Sequence, residues 1–316
     1  MKVLVLTNMY PTTTDPWTGS FVAEQVEDLR RLGVDIDVFS FDGRLDRKGY
    51  FRAIPKLRRV VREGDFGLVH AHYGLTGAVA LAQRRVPTVT TFHGSETFIP
   101  WQRSVSWVVA RLTTPVFVSD VGRRRLHLAD AAIIPCAVDT ERFRPRDQAE
   151  ARAELGWDAA APYVVFPGSR RVPIKRADLF DAAVEEARRE LPELRAAALD
   201  GLSRDEAALT LAAAGVTVMT SDDEGSPVAV RESLACATPV VSVPVGDVPE
   251  VISDLPGCAI CEREPSALAQ ALLRAIGAGR SPDLRKRAEE TSRPQVARSI
   301  IAVYERTLAG RIKSRG

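Results

Sequence analysis

Cysteine is scarce, with four residues in 316. That is too few for a disulfide scaffold at this length, so the fold has to rest on hydrophobic cores. Long apolar runs are missing as well, and nothing approaches the roughly 18 consecutive apolar residues that a bilayer requires. The opening MKVLVLTNMYP has one Lys ahead of a short apolar run broken by Asn8, Tyr10 and Pro11, which is too short for a secretory leader and reads as a first buried strand. These absences predict a cytoplasmic protein with reduced thiols. Neither sign of charge is in excess: 43 Lys and Arg against 41 Asp and Glu leave a formal charge of +2, which excludes a surface built to coat nucleic acid. GxGxxG is absent after the first strand, which counts against NAD or FAD. The GxxxxGK[ST] loop, the GxSxG elbow and the kinase signatures are also missing.

What is present is ordinary globular material, 45% hydrophobic and 27% charged, enough for two domains of roughly 150 residues each. Short apolar runs alternate with amphipathic stretches throughout, and that alternation predicts an α/β fold of parallel sheets covered by helices. Strands are predicted at residues 3–7, 35–40, 68–71, 88–92, 115–119 and 131–135. After a polar, Pro-containing connection at 140–147, a second series follows at 163–166, 196–199, 216–220, 239–243 and 259–261. Phe21, Val22, Val26 and Leu29 recur at helical spacing over 21–32. Val296, Ile300, Val303, Tyr304 and Leu308 share one face of a long helix over 295–311. The predicted division is 1–142, 143–294 and a terminal helix 295–316, giving two Rossmann-like doubly wound domains that face an interdomain cleft. In such sheets ligands bind at the carboxyl ends of the strands.

Unusual residues cluster at those strand ends. Glu224-Gly-Ser-Pro-Val-Ala-Val-Arg-Glu232 places two carboxylates across a loop-to-helix junction, with Ser226 suited to capping and Pro227 to the first helical position. An ionised carboxylate only accepts, so it matches the paired donors of sugar and ribose hydroxyls. The bland alternative is a helix N-terminal charge and a solvated Glu. Gly168-Ser-Arg-Arg-Val-Pro-Ile-Lys175-Arg176 also follows a strand. There Arg170, by its fork, and Lys175, as a point charge, are suited to a diphosphate, the alternative being a solvated basic turn. His93 follows a strand in Thr91-Phe-His93-Gly-Ser-Glu96. The Pro- and Thr-rich loop 8–20 delivers Gly19 to the start of the first helix, where backbone amides favour an anion.

Other patterns carry less. His70, His72 and His93 together suggest a metal site only weakly, and structural histidines are the better reading. Cys258-Ala-Ile-Cys261 is a single CxxC without a second pair. Asp35-Ile-Asp37 fits outward carboxylates on a strand. The run 51–62 sets Lys56, Arg58, Arg59 and Arg62 against Ile54, Leu57, Val60 and Val61, which leaves peripheral contact at the inner membrane face open beside a plain solvated helix. Arg123, Arg124 and Arg125 form a second basic cluster.

Taken in order, VLVLTNMYP with Gly19, TFHGSE, IPCAVDTERFRP, GSRRVPIKR and SDDEGSPVAVRESLACATPVV resemble the retaining glycosyltransferases of family four, the group 1 enzymes with the GT-B fold. The resemblance covers nearly the whole chain. It implies an acceptor-side N-terminal domain, a nucleotide-sugar-binding C-terminal domain and a final helix packed back on the first. Arg170, Lys175 and Gly19 would meet the donor diphosphate, and Glu232 the ribose. Glu224 with Gly225, Ser226, Pro227 and Val228 would hold the donor sugar, and His93 would contact it from the N-terminal domain. His93 and Glu224 are the implied catalytic residues. The implied reaction is metal-free transfer, with retention, from a nucleotide-diphosphate sugar to a saccharide, lipid-linked or small-molecule hydroxyl, with no cofactor, no metal and no nucleic-acid partner. A sugar-nucleotide epimerase of the same fold and a non-catalytic sugar-nucleotide-binding subunit are the alternatives. Where the family often has glycine after Lys and after Cys, this chain has Lys175-Arg176 and Cys236-Ala237.

Overall fold

The computed structural model describes residues 1–13, 15, 18–43 and 46–313. Thr14, Pro16 and Trp17 of the expected loop 8–20 lie outside the described residues. Two compact units result: Met1–Ala137 with Arg293–Gly316, and Val138–Ser292.

The first unit carries β1 (Lys2–Thr7), α1 (Ser20–Arg31), β2 (Asp35–Ser40), α2 (Lys48–Glu63), β3 (Leu68–His72), α3 (Gly74–Ala80), β4 (Thr88–Phe92), α4 (Ser95–Phe98), α5 (Pro100–Leu112), β5 (Thr114–Phe117), α6 (Asp120–Arg125) and β6 (Ala132–Ile133). Its sheet is parallel in the order β2-β1-β3-β4-β5-β6. A parallel sheet covered on both faces needs strands apolar on both faces, and the unbroken burial of Val3 to Leu6 in β1 shows why these runs do not alternate. One face packs Val22, Val26 and Leu29 of α1 with Val296, Ile300, Val303 and Tyr304 of the last helix. The other face packs Ala53, Leu57 and Val61 of α2 with Val79 and Ala80 of α3.

The second unit carries α7 (Gln148–Glu154), β7 (Tyr163–Phe166), α8 (Ala177–Ala187), β8 (Arg195–Ala198), α9 (Arg204–Ala213), β9 (Val216–Met219), α10 (Val228–Ala235), β10 (Val240–Ser242), α11 (Val248–Ile252), β11 (Ala259–Ile260), α12 (Pro265–Ala278) and α13 (Pro282–Glu289). Its parallel sheet runs β11-β10-β9-β7-β8 against a large core, beside which Ala151 of α7 and Ala212 and Ala213 of α9 form a small separate cluster. The chain then enters α14 (Arg293–Lys313), which belongs to the first unit. There Arg293 Nε donates to both carboxylate oxygens of Asp28 on α1, at 2.9 and 2.8 Å.

The connection 140–147 forms no regular element, but it is not a free linker. Phe143 is fully buried in the second core, and Arg285 donates to the carbonyls of Phe143 and Thr140. One aromatic residue in a polar stretch is enough to pin it, a contact that local composition does not reveal. Asp35 and Asp37 point to solvent from β2 around buried Ile36.

Candidate active site

Both sheets reverse their strand order once. In the second unit the reversal lies between β7 and β9, which are adjacent although an entire β-α unit separates them in sequence. The loops leaving those two strands therefore meet, and they are the basic turn after Phe166 and the acidic loop after Met219. Lys175 Nζ donates to Glu224 Oε1 at 2.5 Å. The Asp222 amide donates to the Ile174 carbonyl at 2.8 Å, and the Thr220 hydroxyl lies 3.0 and 2.9 Å from the Lys175 and Arg176 carbonyls. Lys175 and Glu224 thus place one cation and one acceptor side by side where the strand order reverses.

The loop carrying Glu224 is backed by Gly246. At φ +55 a Cβ there would sit 2.7 Å from the Gly225 carbonyl oxygen and 3.0 Å from that of Glu224. Beside it, Asp247 is locked by Arg231 of α10 in a buried pair at 2.7 Å. Pro227 is the N-cap of α10 rather than its first residue, and its own side chain supplies no capping hydrogen bond. The helix starts one residue later because Pro227 takes an extended ψ of 114°.

The remaining expected ligands of the second unit are placed differently. Arg170 ion-pairs with Asp181 of α8, both exposed. Glu232 is nearly buried in α10 and ion-pairs with Arg204, the first residue of α9. Sequence reasoning missed Arg204, Asp181, Arg231 and Asp247, since which charge meets which depends on how each helix packs and leaves no periodic mark in the sequence.

Two positions where the resembled family often has glycine keep the backbone that glycine favours. Arg176 and Ala237 have φ of 53° and 57°, the left-handed region. Arg176 offsets part of that strain with ion pairs to Asp178 and Asp222, which hold its guanidinium more basic than usual.

In the first unit the reversal lies between β1 and β3, and there a cavity of about 740 Å³ opens. Asn8 and Met9 after β1, Tyr73 and Leu75 after β3, and Ser95 and Glu96 after β4 line it, closed by residues of α2 and α5 including Tyr50 and Trp101. Gly19 enters α1 at φ +72, and a Cβ there would lie 2.3 Å from the Met9 carbonyl oxygen, so the close approach of this loop requires glycine. Tyr73 holds a positive φ of 75° and packs its ring 4.6 Å from that of His93.

The three histidines lie side by side, His70 against His72 by ring contact with centroids 4.5 Å apart and His72 against His93 by a hydrogen bond. His70 is satisfied on both nitrogens, by the Tyr304 hydroxyl at 2.6 Å and Thr91 Oγ1 at 2.8 Å. His72 Nδ1 meets His93 Nε2 at 3.1 Å. Burial lowers all three, His72 to about 3, so the rings are neutral. His72 Nε2 is buried with no hydrogen-bond partner among the described residues, so the favoured tautomer leaves it a bare lone pair while Nδ1–H donates to His93. The ring hydrogen of His93 then sits on Nδ1. Glu96 accepts from the His93 amide at 2.9 Å. Burial pushes its carboxyl up to about 7 against the opposing pull of backbone amides. Glu96 was quoted in the sequence without a role, because a single Glu in a turn gives no sign of being buried.

Cys136, Cys236, Cys258 and Cys261 form no disulfide, and burial raises Cys236 to about 12 and Cys258 to about 11. Cys258 Sγ accepts from the Val240 amide, which makes the CxxC a packing feature. Among the described residues no three His, Cys, Asp or Glu side chains form a metal-holding group.

Two doubly wound sheets, each with its polar residues at the strand-order reversal, define a Rossmann-like α/β protein of the GT-B type. Residues 18–142 match Glycosyltransferase Family 4 and residues 161–278 match Glycosyl transferases group 1, so the chain belongs to this glycosyltransferase family. It is 28% identical over 71% of its length to D-inositol 3-phosphate glycosyltransferase of Frankia alni, covering 68% of that protein. It is 24% identical over 87% of its length to the putative teichuronic acid biosynthesis glycosyltransferase TuaC of Bacillus subtilis, covering 89% of it. Among solved structures, sucrose-phosphate synthase from Thermosynechococcus elongatus superposes with a TM-score of 0.77 at 17% identity, over 98% of this chain and 99% of that one. HepE of Anabaena, solved with UDP and glucose, superposes at 0.70 and 15% identity, over 96% and 99%.

Proposed function

We propose that this glycosyltransferase moves a sugar from a nucleotide-diphosphate donor to an acceptor hydroxyl with retention at the anomeric carbon and without a metal ion. The carrying observation is the Lys175–Glu224 pair at the strand-order reversal of the second unit. The HepE structures with UDP and with UDP-glucose support a nucleotide-sugar donor. In this reading Lys175 and Arg170 neutralise the leaving diphosphate, Arg170 after exchanging Asp181 for phosphate. That exchange is cheap because both side chains are substantially exposed, 42% and 52%. Glu224, released from Lys175 as the lysine turns to phosphate, accepts from sugar hydroxyls together with the Gly225, Ser226, Pro227 and Val228 backbone. Glu232 takes the ribose beside Arg204. Gly19 keeps the first loop close enough to meet phosphate, and His93 offers Nδ1–H to the transferred sugar. The acceptor, a saccharide, lipid-linked or small-molecule hydroxyl, occupies the cavity beside Tyr73. Catalysis rests on positioning and charge stabilisation.

A thermal-shift panel of UDP, GDP, ADP and dTDP, with and without EDTA, tests the donor half. A ligand at about a hundred times its Kd adds about 2.7 kcal/mol. One nucleotide is expected to raise the melting temperature equally with and without EDTA. No shift with any nucleotide removes the phosphate assignment, and a shift abolished by EDTA removes the metal-free mechanism. Proton NMR of the product anomer decides retention.

A further inference from the structure

The helix α5, PWQRSVSWVVARL, contains no acidic residue. Its inner face buries Ser106, Val109 and Ala110. Its outer face exposes Trp107, Val108 and Leu112, the last to 64%, together with Arg103 and Arg111. Isolated exposed apolar residues are ordinary, but two tryptophans, a valine and a leucine along one helix are not, since Trp101 at its first turn is also half exposed. The Arg111 guanidinium lies over the Trp107 ring at 3.8 Å, an apolar body with a cationic edge, which is the amphipathic combination suited to a lipid headgroup layer.

Alongside this face runs a groove of about 490 Å³ lined by Arg103, Ser104, Trp107, Val108, Arg125 and His127. Among the described residues no carboxylate lines it. Arg125 is held in place by the Phe98 ring, 3.6 Å beneath its guanidinium. The basic stripe of α2 is a weaker candidate: Arg59 and Arg52 pair with Glu63 and Asp46, Arg58 donates to a backbone carbonyl, and the exposed apolar residue of note there is Phe51.

We propose that the outer face of α5 docks on an anionic phospholipid surface, with a headgroup phosphate in the groove between Arg103 and Arg125 and with Trp107, Val108 and Leu112 in the acyl boundary. An acidic protein surface would satisfy the arginines, but it gives no reason for Trp107, Val108 and Leu112 standing in water beside them. Among the described residues no helix is long and apolar enough to cross a membrane, so this contact is peripheral. A consequence rests on the transfer reading: the inner end of α5 contributes Trp101, Gln102 and Val105 to the large cavity, so the acceptor is an amphiphile drawn from the same lipid surface.

The test is co-sedimentation of the full chain with phosphatidylcholine vesicles, and with the same vesicles carrying about 30% phosphatidylglycerol. Sedimentation is expected with the anionic vesicles and falls with added salt. Two variants probe the two halves of the surface. Arg103→Ala with Arg125→Ala should weaken vesicle binding about thirtyfold, and Trp107→Glu with Leu112→Glu should abolish it. All four side chains are on the surface, so circular dichroism should be unchanged. Absence of sedimentation, or equal sedimentation of wild type and both variants, overturns the proposal. A melting shift with inorganic phosphate that is lost in the arginine variant, without vesicle binding, also overturns it in favour of a soluble anion site. The nucleotide shift reads the second unit, so its loss with vesicle binding intact strikes the transfer reading alone.

Discussion

Replacing Glu96 with glutamine removes a proton-binding group from a site that is 1% exposed. Burial raises its carboxyl from 4.5 to about 7 in the folded chain. A raised folded value means that the folded state holds the proton more tightly. The resulting stabilisation is complete below about pH 4.5 and is lost as the pH climbs through 7. The shift from 4.5 to about 7, at about 1.4 kcal/mol per unit, corresponds to about 3 kcal/mol. Glutamine keeps an acceptor for the His93 amide and places an NH₂ at the oxygen that has no partner among the described residues, a pH-independent cost of about 1–3 kcal/mol. The informative quantity is therefore the difference between the two proteins as a function of pH. Urea unfolding followed by tryptophan fluorescence should show wild-type stability falling by about 3 kcal/mol relative to Glu96→Gln between pH 4.5 and 8. A flat difference curve would refute the argument that Glu96 is buried without enough donors to hold its charge.

Other outcomes follow from the second unit. Lys175→Met should abolish transfer and lower stability by about 1–3 kcal/mol, because it strands Glu224, whose side chain is only 13% exposed. Adding Glu224→Gln should recover stability but not activity, and unchanged turnover in the single variant would sink the assignment. Gly246→Ala drives a methyl into the Glu224 and Gly225 carbonyls and should cost about 1–3 kcal/mol while weakening nucleotide-sugar binding. A fully active, equally stable variant would contradict the packing. Ala237→Gly should raise stability by about 0.5–1 kcal/mol, since relief at φ 57° exceeds the added chain entropy. A loss would mean that the left-handed residue is unstrained.

The order of elements was written in the sequence. Runs such as VLVLT, apolar on both faces, and TVTTF, built of β-branched residues and a Phe, suit a covered parallel sheet, so strands appeared within a residue or two of their final bounds. The spacing of Val296, Ile300, Val303 and Tyr304 likewise announced α14. Both signals are local and periodic. The candidate chemistry was legible because Lys175 and Glu224 each follow a strand. That they share a proton donor and acceptor, however, follows from β9 crossing to the far side of β7. Which partner a charge finds is likewise a tertiary outcome. Arg170 goes to Asp181, Glu232 to Arg204, and Arg231 to Asp247 across chain separations that carry no pattern. Burial of Glu96, the satisfied ring of His70 and the anchoring of Phe143 belong to the same class. Periodicity reports which face of an element turns inward. It does not report what lies opposite, and charge, proton affinity and cavity shape are set by what lies opposite.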